Sequence, residues 1–324
     1  MIAHRLRCSL SLAACSSAVA LASCQATPPA QVIAADGVLC DITRRLAASD
    51  LAVECLLQPG DDPHQFRLTP RQSRALREAQ LVLINGYGLT PALSDQPHSL
   101  AVAERAVPGS PLLEKPEPHS AHDKADHHDG NRDPHAWHDP RQAAAMVRLV
   151  ALQLEALKPS ASAAIAARAT AMTAVLQRLD RWNRQQFATI PNGKTLATGH
   201  RAFASLARAY GLQELPVVDA LSSSDSLRPQ AFQAVVQDLQ RQKVAMLFAE
   251  QLPAGKALQR ISALSGVPLA ATALVADGLA KTNGEPGNLV STLSDNTCLI
   301  VNGLKGRCDS PSQKNLIQSW QAIR

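Results

Sequence analysis

From Gln31 onward the chain alternates short apolar runs with longer amphipathic stretches. Apolar runs of roughly four to eight residues are typical of buried strands, and the stretches between them have helical length and spacing. The predicted strands of the first half are QVIAA (31–35), LAVECLL (51–57), LVLING (81–86) and LAVAE (100–104). Helices are predicted at 36–49 and 69–80, the second with Thr69 as N-cap before Pro70. Alternation of this kind predicts a mostly parallel sheet flanked by helices.

The second half repeats this architecture in kind, although no aligned sequence repeat is visible. Its predicted strands are KTLAT (194–198), LPVVDA (215–220), VAMLFAE (244–250), VPLAATALVA (267–276) and TCLIVNGL (297–304). Helices are predicted between them at 201–211, 228–242 and 254–266.

Two helical blocks without Gly or internal Pro separate the halves, at 141–159 and 160–191. The second block predicts one helix of about 45 Å, a length suited to a rigid strut between two lobes. The predicted fold class is therefore α/β, with two lobes joined by one long rigid helix. The expected boundaries are an N-terminal lobe at 24–157, a connecting helix at 158–190 and a C-terminal lobe at 191–324.

The first thirty residues have the outline of an export signal. Arg5 and Arg7 precede an apolar, small-residue run from Leu10 to Ala22, which is short for a membrane span of about 20 residues. The following LASC resembles the lipobox of bacterial lipoproteins, in which the cysteine becomes the lipidated first residue. This predicts a signal peptide at 1–23 and lipidation of Cys24. An ordinary signal peptide cleaved nearby is the alternative, and either one places the protein outside the cytoplasm.

Export determines which of the seven cysteines are available for disulfides in the mature chain. With the signal removed and Cys24 assigned to lipid, Cys40, Cys55, Cys298 and Cys308 remain. An oxidising compartment favours disulfides, and four cysteines allow three pairings. The sequence-local pairing, Cys40 with Cys55 and Cys298 with Cys308, closes the shortest loops.

Composition describes a packed globular protein that is poorly suited to nucleic acid. Of the 324 residues, 46% are hydrophobic and 18% charged, which is enough apolar material for a sizeable core. The net charge of +5 mixes both signs along the chain, and only 3% of residues are aromatic. Single-strand binders need stacking platforms along a basic groove, so nucleic acid is excluded as an expected partner.

Polar residues that directly follow predicted strands are the candidates for chemistry, because ligands of parallel α/β sheets bind beyond the carboxyl ends of strands. His64 follows the second strand and His200 follows KTLAT. Asp277 follows VPLAATALVA, while His135 lies in DPHAWHDP. Imidazole nitrogens with one carboxylate oxygen suit tetrahedral Zn²⁺, and the oxygen keeps Mn²⁺ possible. Each histidine taken singly is more often a structural residue, and only their joint placement favours a metal site.

Several motifs together resemble one protein family. PGDDPHQFRLTP, DPHAWHDP, the long helix, TGHRAFASLARAYGL, FAEQ and ALVADGLA occur in the order found in the metal-binding proteins of bacterial ABC importers, specifically the zinc (ZnuA-like) group of the cluster that includes manganese binders. The resemblance extends from about Gln31 to Leu304. It implies one metal ion between two lobes and a membrane permease as partner. It also implies a location in the periplasm or on the outer face of the cytoplasmic membrane, and a monomeric chain that is not an enzyme.

The resemblance also implies ligands, residue by residue. His64, His135 and His200 match the family's three histidine positions, and Asp277 matches its late aspartate, a place that some zinc members leave to water or another carboxylate. Manganese members have Glu at the third position, so His200 favours zinc. The family usually has an apolar residue where His138 stands. We expect His138 to face solvent rather than the metal, and Trp137 to pack within the lobe.

The residues before DPHAWHDP form a separate feature. The segment 117–132 contains His119, His122, His127 and His128 among acidic residues, and zinc members often carry such a loop at this position. Mobile imidazoles and carboxylates bind metal weakly without fixed geometry. Zinc capture, sensing of zinc excess and a merely solvated loop are all open as its role.

Two other functions compete with metal delivery. An exported zinc hydrolase would use the same histidines with a base such as Glu250, although the family resemblance makes Glu250 structural or a support for a ligand. A surface adhesin is not separable by sequence, since family members have been given such roles.

Overall fold

The computed structural model describes residues 31–58, 60–113, 132–191, 193–218, 229–282 and 285–324. Its strands are β1 (Val32–Ala34), β2 (Val53–Cys55), β3 (Leu81–Ile84), β4 (Ser99–Ala101), β5 (Thr195–Thr198), β6 (Gln213–Pro216), β7 (Leu247–Phe248), β8 (Lys281–Thr282) and β9 (Glu285–Pro286). Its helices are α1 (Gly37–Ala47), α2 (Pro70–Glu78), α3 (Val102–Ala106), α4 (Pro140–Leu157), α5 (Ser162–Ala188), α6 (Ala204–Tyr210), α7 (Pro229–Arg241), α8 (Lys256–Ser265), α9 (Leu289–Gly303) and α10 (Ser310–Gln321).

Two parallel sheets form the centres of the two lobes. The first sheet has the order β2-β1-β3-β4 and the second has the order β6-β5-β7, with all pairs parallel. A bridge between Leu247 and Leu269 adds one more parallel contact beyond β7. In each sheet the chain begins at an inner strand and then extends to both sides. The predicted α/β class with a parallel sheet in each half is confirmed.

Helix α2 shows how local sequence fixes an element boundary. The Thr69 side chain accepts a hydrogen bond from the Gln72 backbone, and the Gln72 side chain accepts one from Thr69 N in return, with Pro70 at the first helical position. This reciprocal pair satisfies donors that a helix start otherwise leaves free. The predicted start at Thr69 and Pro70 is confirmed.

The long helix α5 contacts both lobes. Its 27 residues span about 40 Å at 1.5 Å per residue. Near its start, Arg168 donates to the carbonyl of Leu46 at 2.9 Å. Near its end, Asn183 Nδ2 donates to Tyr210 Oη at 3.0 Å. One helix therefore braces α1 of the first lobe against α6 of the second, as the strut interpretation expects. The domain boundaries stay a prediction.

Helix α9 also joins the two cores. Its first turns place Leu289 and Leu293 in the core beneath the first sheet, and its last turns place Ile300 and Val301 in the core beneath the second. Asp41 of α1 accepts from Leu289 N at 2.9 Å and, with the same oxygen, from the indole of a buried tryptophan in α10 at 2.8 Å. The segment after the second sheet thus returns to the first lobe.

Four predicted strands differ from the structure, and LPVVDA (215–220) is one of them, because β6 spans Gln213–Pro216 and residues 219–220 lie outside the described part of the chain. TCLIVNGL (297–304) is wrong as a strand, because it forms the end of α9, whose start is capped by Asn288. VPLAATALVA (267–276) is wrong as a regular strand. Pro268 has no N–H to donate, and the segment makes only the Leu269 bridge and scattered bonds beside β7. LAVAE (100–104) leaves β4 after Ala101 and continues as α3.

Two disulfides fasten local loops. Cys40 of α1 is bonded to Cys55 of β2, and Cys298 of α9 is bonded to Cys308, which precedes α10. The sequence-local pairing is confirmed.

Part of the predicted organisation lies outside the described residues, namely the signal peptide, Cys24 and the histidines at 119, 122, 127 and 128. Among the helices that the structure does describe, none is long and apolar enough to cross a membrane.

Candidate metal centre

Four side chains from separate segments meet beyond the carboxyl ends of the parallel strands. His64 lies between β2 and α2, and His200 lies directly after β5. His135 immediately precedes a short 3₁₀ turn at Ala136–His138, and Asp277 lies beyond the segment that contacts β7. This is the sheet edge at which parallel α/β folds bind ligands.

Distances show that these four residues form one cluster. One ligand atom from each lies within 4.8 Å of the others. Asp277 Oδ1 is 3.0 Å from His135 Nε2 and 3.4 Å from His64 Nε2, and Asp277 Oδ2 is 3.6 Å from His200 Nε2. The structure therefore brings together all four residues named from the sequence as candidate ligands.

The donor set fits a small cation of the zinc type. Three imidazole nitrogens and a carboxylate oxygen match the ligands and the number that tetrahedral zinc takes. The Nε2 atoms of His64 and His200 are buried and have no hydrogen-bond partner among the described residues. Buried polar atoms are ordinarily paired, so two unpaired ring nitrogens beside one carboxylate indicate a binding site.

A buried carboxylate holds His135 in place. Asp133 Oδ1 accepts from the His135 backbone at 2.9 Å and lies 3.0 Å from its Nδ1, which leaves Nε2 to face the cluster. Asp133 Oδ2 accepts from Ser205 N at 2.9 Å and from Ser205 Oγ at 2.7 Å. A carboxylate on the far nitrogen fixes the tautomer of a ligating histidine and raises its basicity. Because Ser205 lies in α6, this carboxylate also ties the His135 segment to the second lobe.

A second carboxylate shapes the His200 turn. Glu250 Oε1 accepts from Gly199 N at 2.7 Å and from His200 N at 3.2 Å. A Cβ at Gly199 would collide with this carboxylate, so the glycine allows the close approach. Glu250 thus supports the position of His200, in agreement with its interpretation as a structural or supporting residue.

The electrostatics of the cluster favour an ionised carboxylate beside a protonated imidazole in the absence of metal. Burial alone would lower the pKa of His135, but hydrogen bonds with Asp133 and Asp277 raise it to about 10. Burial opposes ionisation of Asp277, yet its hydrogen bond with His135 and the nearby imidazole of His64 hold its pKa well below the usual range. A bound cation would replace the proton on His135, so metal binding releases a proton.

His138 and Trp137 both lie inside the protein. Trp137 is fully buried in the first core, as expected. His138 is only 1% exposed, so the expectation that it faces solvent is wrong. The 3₁₀ turn directs its ring inward, where burial lowers its pKa to about 4 and keeps it neutral. Its Nε2 lies 3.0 Å from the carbonyl oxygen of Ala276, outside the four-residue cluster.

Asp133 and Ser205 are two supporting residues that the sequence did not predict. The Asp-x-His spacing carried a signal for the first of them, because an aspartate often accepts from the backbone N–H two residues later. No local pattern pointed to Ser205, whose contact with Asp133 joins residues 72 positions apart.

Comparison with known proteins identifies a family. The family model described as ZnuA, zinc-uptake complex component A, periplasmic, matches residues 32–303. The manganese ABC transporter substrate-binding lipoprotein PsaA of Streptococcus mitis is 23% identical over 282 residues, which cover 85% of this chain and 89% of that protein. The iron-binding protein YfeA of Yersinia pestis is 23% identical over 281 residues, covering 84% and 86%.

Solved structures share the same fold. The periplasmic zinc-binding protein TroA from Treponema pallidum superposes with a TM-score of 0.73 at 24% identity, covering 85% of this chain and 99% of that one. Fe(III)-bound YtgA from Chlamydia trachomatis gives a TM-score of 0.74 at 23% identity, covering 86% and 99%.

Proposed function

The chain belongs to the ZnuA family of periplasmic zinc-uptake components, and we propose that it captures Zn²⁺ outside the cytoplasmic membrane and delivers it to the permease of an ABC importer. Proteins of this family are substrate-binding components of metal importers and not enzymes. Similar proteins are named for manganese, iron and zinc, so the choice of metal has to be argued from this chain's own side chains.

The observation that carries the proposal is the donor set of the cluster. Three imidazoles and one carboxylate converge within 4.8 Å, and His200 supplies nitrogen at the position where an oxygen ligand would favour manganese. Sites rich in imidazole follow the Irving-Williams order, in which zinc binds much more tightly than manganese. We therefore assign His64, His135, His200 and Asp277 as the ligands of a transported Zn²⁺.

The contacts of Glu250 argue against hydrolysis by the same cluster. A catalytic zinc needs an open position and a free base to activate water. The Glu250 oxygen nearest His200 already accepts from two backbone N–H groups. Asp277 supplies the fourth ligand, which leaves no position for an attacking water.

The remaining parts of the proposal concern anchoring, assembly and the histidine-rich segment. We propose that Cys24 carries the lipid, that the protein acts as a monomer, and that the division into lobes at 24–157 and 191–324 is correct. We also propose that the segment 117–132 captures zinc for the cluster through His119, His122, His127 and His128.

Competition between metals tests the central proposal. Metal-free protein is titrated with Zn²⁺ and with Mn²⁺ in the presence of chelators of known affinity, alongside His200→Glu and the exposed control His98→Glu. We expect the unmodified protein and the control to bind zinc much more tightly than manganese. In His200→Glu the ratio of the manganese Kd to the zinc Kd should fall by at least tenfold, because an oxygen replaces a nitrogen ligand. Tighter binding of manganese by the unmodified protein would overturn the assignment.

The number of bound ions tests the histidine-rich segment. Replacing its four histidines with Asn is expected to leave one tight zinc ion and to remove weaker additional ions. An unchanged stoichiometry, measured by metal analysis after dialysis against graded zinc, would contradict the capture role.

A further inference from the structure

His138 belongs to the first lobe by chain position but contacts two segments of the second. Its ring lies 4.7 Å from the ring of Phe203, at the start of α6. Its Nε2 lies 3.0 Å from the carbonyl oxygen of Ala276. With 1% exposure, the side chain is enclosed between these two partners.

The protonation of His138 follows from its partner. A backbone carbonyl can only accept, so Nε2 carries the proton and donates it to Ala276 O. Nδ1 is buried and has no hydrogen-bond partner among the described residues. An apolar side chain would fill the same space without leaving a nitrogen unpaired. The interaction that distinguishes a histidine here is the bond to Ala276.

That bond closes a ring of contacts around a metal ligand. His138 N donates to His135 O at 3.2 Å within the 3₁₀ turn, and Ala276 is covalently joined to Asp277. Asp277 Oδ1 in turn lies 3.0 Å from His135 Nε2. The same 3₁₀ turn therefore follows the ligand His135 and, through His138, holds the backbone next to the ligand Asp277.

The segment that carries Asp277 has few other supports. It has no regular secondary structure, and Gly278 follows with φ of 79°. Asn296 of α9 holds it from the other side, accepting from Val275 N at 2.9 Å and donating to Val275 O at 2.7 Å. His138 fixes the next carbonyl along the chain, immediately before the ligand.

We propose that His138 is a positioning residue, which sets the Asp277 carboxylate against His135 by hydrogen-bonding the carbonyl of Ala276. This inference rests on the proposed metal site. His138 does not itself bind the ion, and it acts only through the backbone before Asp277.

Two substitutions separate the hydrogen bond from the packing. His138→Phe keeps a ring beside Phe203 and removes the donor, whereas His138→Gln keeps an N–H donor and removes the ring. Zinc affinity is measured by competition with a chromophoric chelator. We expect His138→Phe to raise the Kd about tenfold, as loss of a supporting contact around a metal site typically does, and His138→Gln to stay within about threefold of the unmodified protein. A merely structural role would give the reverse order, with the loss of the ring costing more.

A second background shows whether the effect passes through the ligand. In Asp277→Ala protein the carboxylate is absent, so His138→Phe should change the zinc Kd by less than about twofold. An equal loss with and without Asp277 would refute the proposal, as would no loss in either. Unfolding midpoints of the metal-free variants identify any general loss of structure, and His138→Gln then provides the comparison that remains folded. If the unmodified protein binds no zinc, the proposed function fails instead of this inference.

Discussion

Replacing Asp133 with Asn removes a buried charge that has four donors around it. Asp133 has no exposed surface, and its two oxygens accept from the backbone and Nδ1 of His135 and from the backbone and hydroxyl of Ser205. Asn keeps one oxygen and places an NH₂ group where the other stood. Whichever way the amide turns, it faces a backbone N–H, so at least one donor is left without an acceptor.

The magnitude follows from the bonds lost. Hydrogen bonds to charged groups contribute about 1.5–3 kcal/mol each, and the two on the amide side are lost or reversed, so we expect Asp133→Asn to lower the free energy of unfolding by about 3–6 kcal/mol. Loss of the carboxylate behind His135 should also weaken zinc binding by about 10- to 100-fold.

Urea unfolding of metal-free protein, followed by tryptophan fluorescence, measures the first effect, and chelator competition measures the second. Asp95→Asn is the matched control, because Asp95 is exposed. We expect this control to change the free energy of unfolding by less than about 0.5 kcal/mol. If Asp133→Asn has a free energy of unfolding within about 1 kcal/mol of the unmodified protein and a zinc Kd within threefold of it, the Asp133 carboxylate supports neither the fold nor the metal site.

Three further changes test other parts of the structure by urea unfolding. Burial raises the pKa of Asp36 to about 6 from 3.8, although backbone hydrogen bonds lower it. The contribution of this carboxyl to the free energy of unfolding is therefore greatest below pH 3.8 and is lost as the pH rises through about 6. Relative to the unmodified protein, the free energy of unfolding of Asp36→Asn should therefore rise by about 2.4 kcal/mol between pH 4 and pH 8, and parallel pH profiles would contradict this. Asp41→Ala removes the acceptor for the backbone N–H of Leu289 and for the indole of Trp320, so it should lower the free energy of unfolding by about 2–3 kcal/mol. An unchanged free energy of unfolding would show that these contacts do not stabilise the protein. Replacing Cys298 and Cys308 by Ser removes the disulfide that closes a loop between residues 10 positions apart, and should lower the free energy of unfolding by about 2.5 kcal/mol. If reductant destabilises this variant and the unmodified protein equally, the disulfide does not contribute that stability.

The strands at the centres of the sheets were predictable because each is an apolar run between clear helix signals. β1 and β5 lie within a residue or two of the predicted ranges. The structure of TCLIVNGL (297–304) was not predictable, because a short, mostly apolar run fits a buried strand and the end of a buried helix equally well. The cap that decides between them, Asn288, lies nine residues before that run.

The site was predictable in its ligands and not in their supports. His200 follows β5 and His64 lies in the connection after β2, and the parallel sheet order alone implies that such residues lie at one edge. Asp133 and His138 make their decisive contacts with Ser205 and Ala276, which are far away in the sequence. Periodicity reports only whether a side chain is buried in its own element, so contacts across the two lobes leave no local pattern.

The return of α9 and α10 to the first lobe also sets an order of folding. Asp41 contacts Leu289 and Trp320 across sequence separations of 248 and 279 residues. The core beneath the first sheet therefore lacks part of its apolar side chains until the chain has been synthesised as far as α10. Contacts this distant along the chain make folding slow, because a long loop must close before they form. A polypeptide that emerges from its N-terminus onward therefore cannot complete the core beneath the first sheet until α9 and α10 have been made.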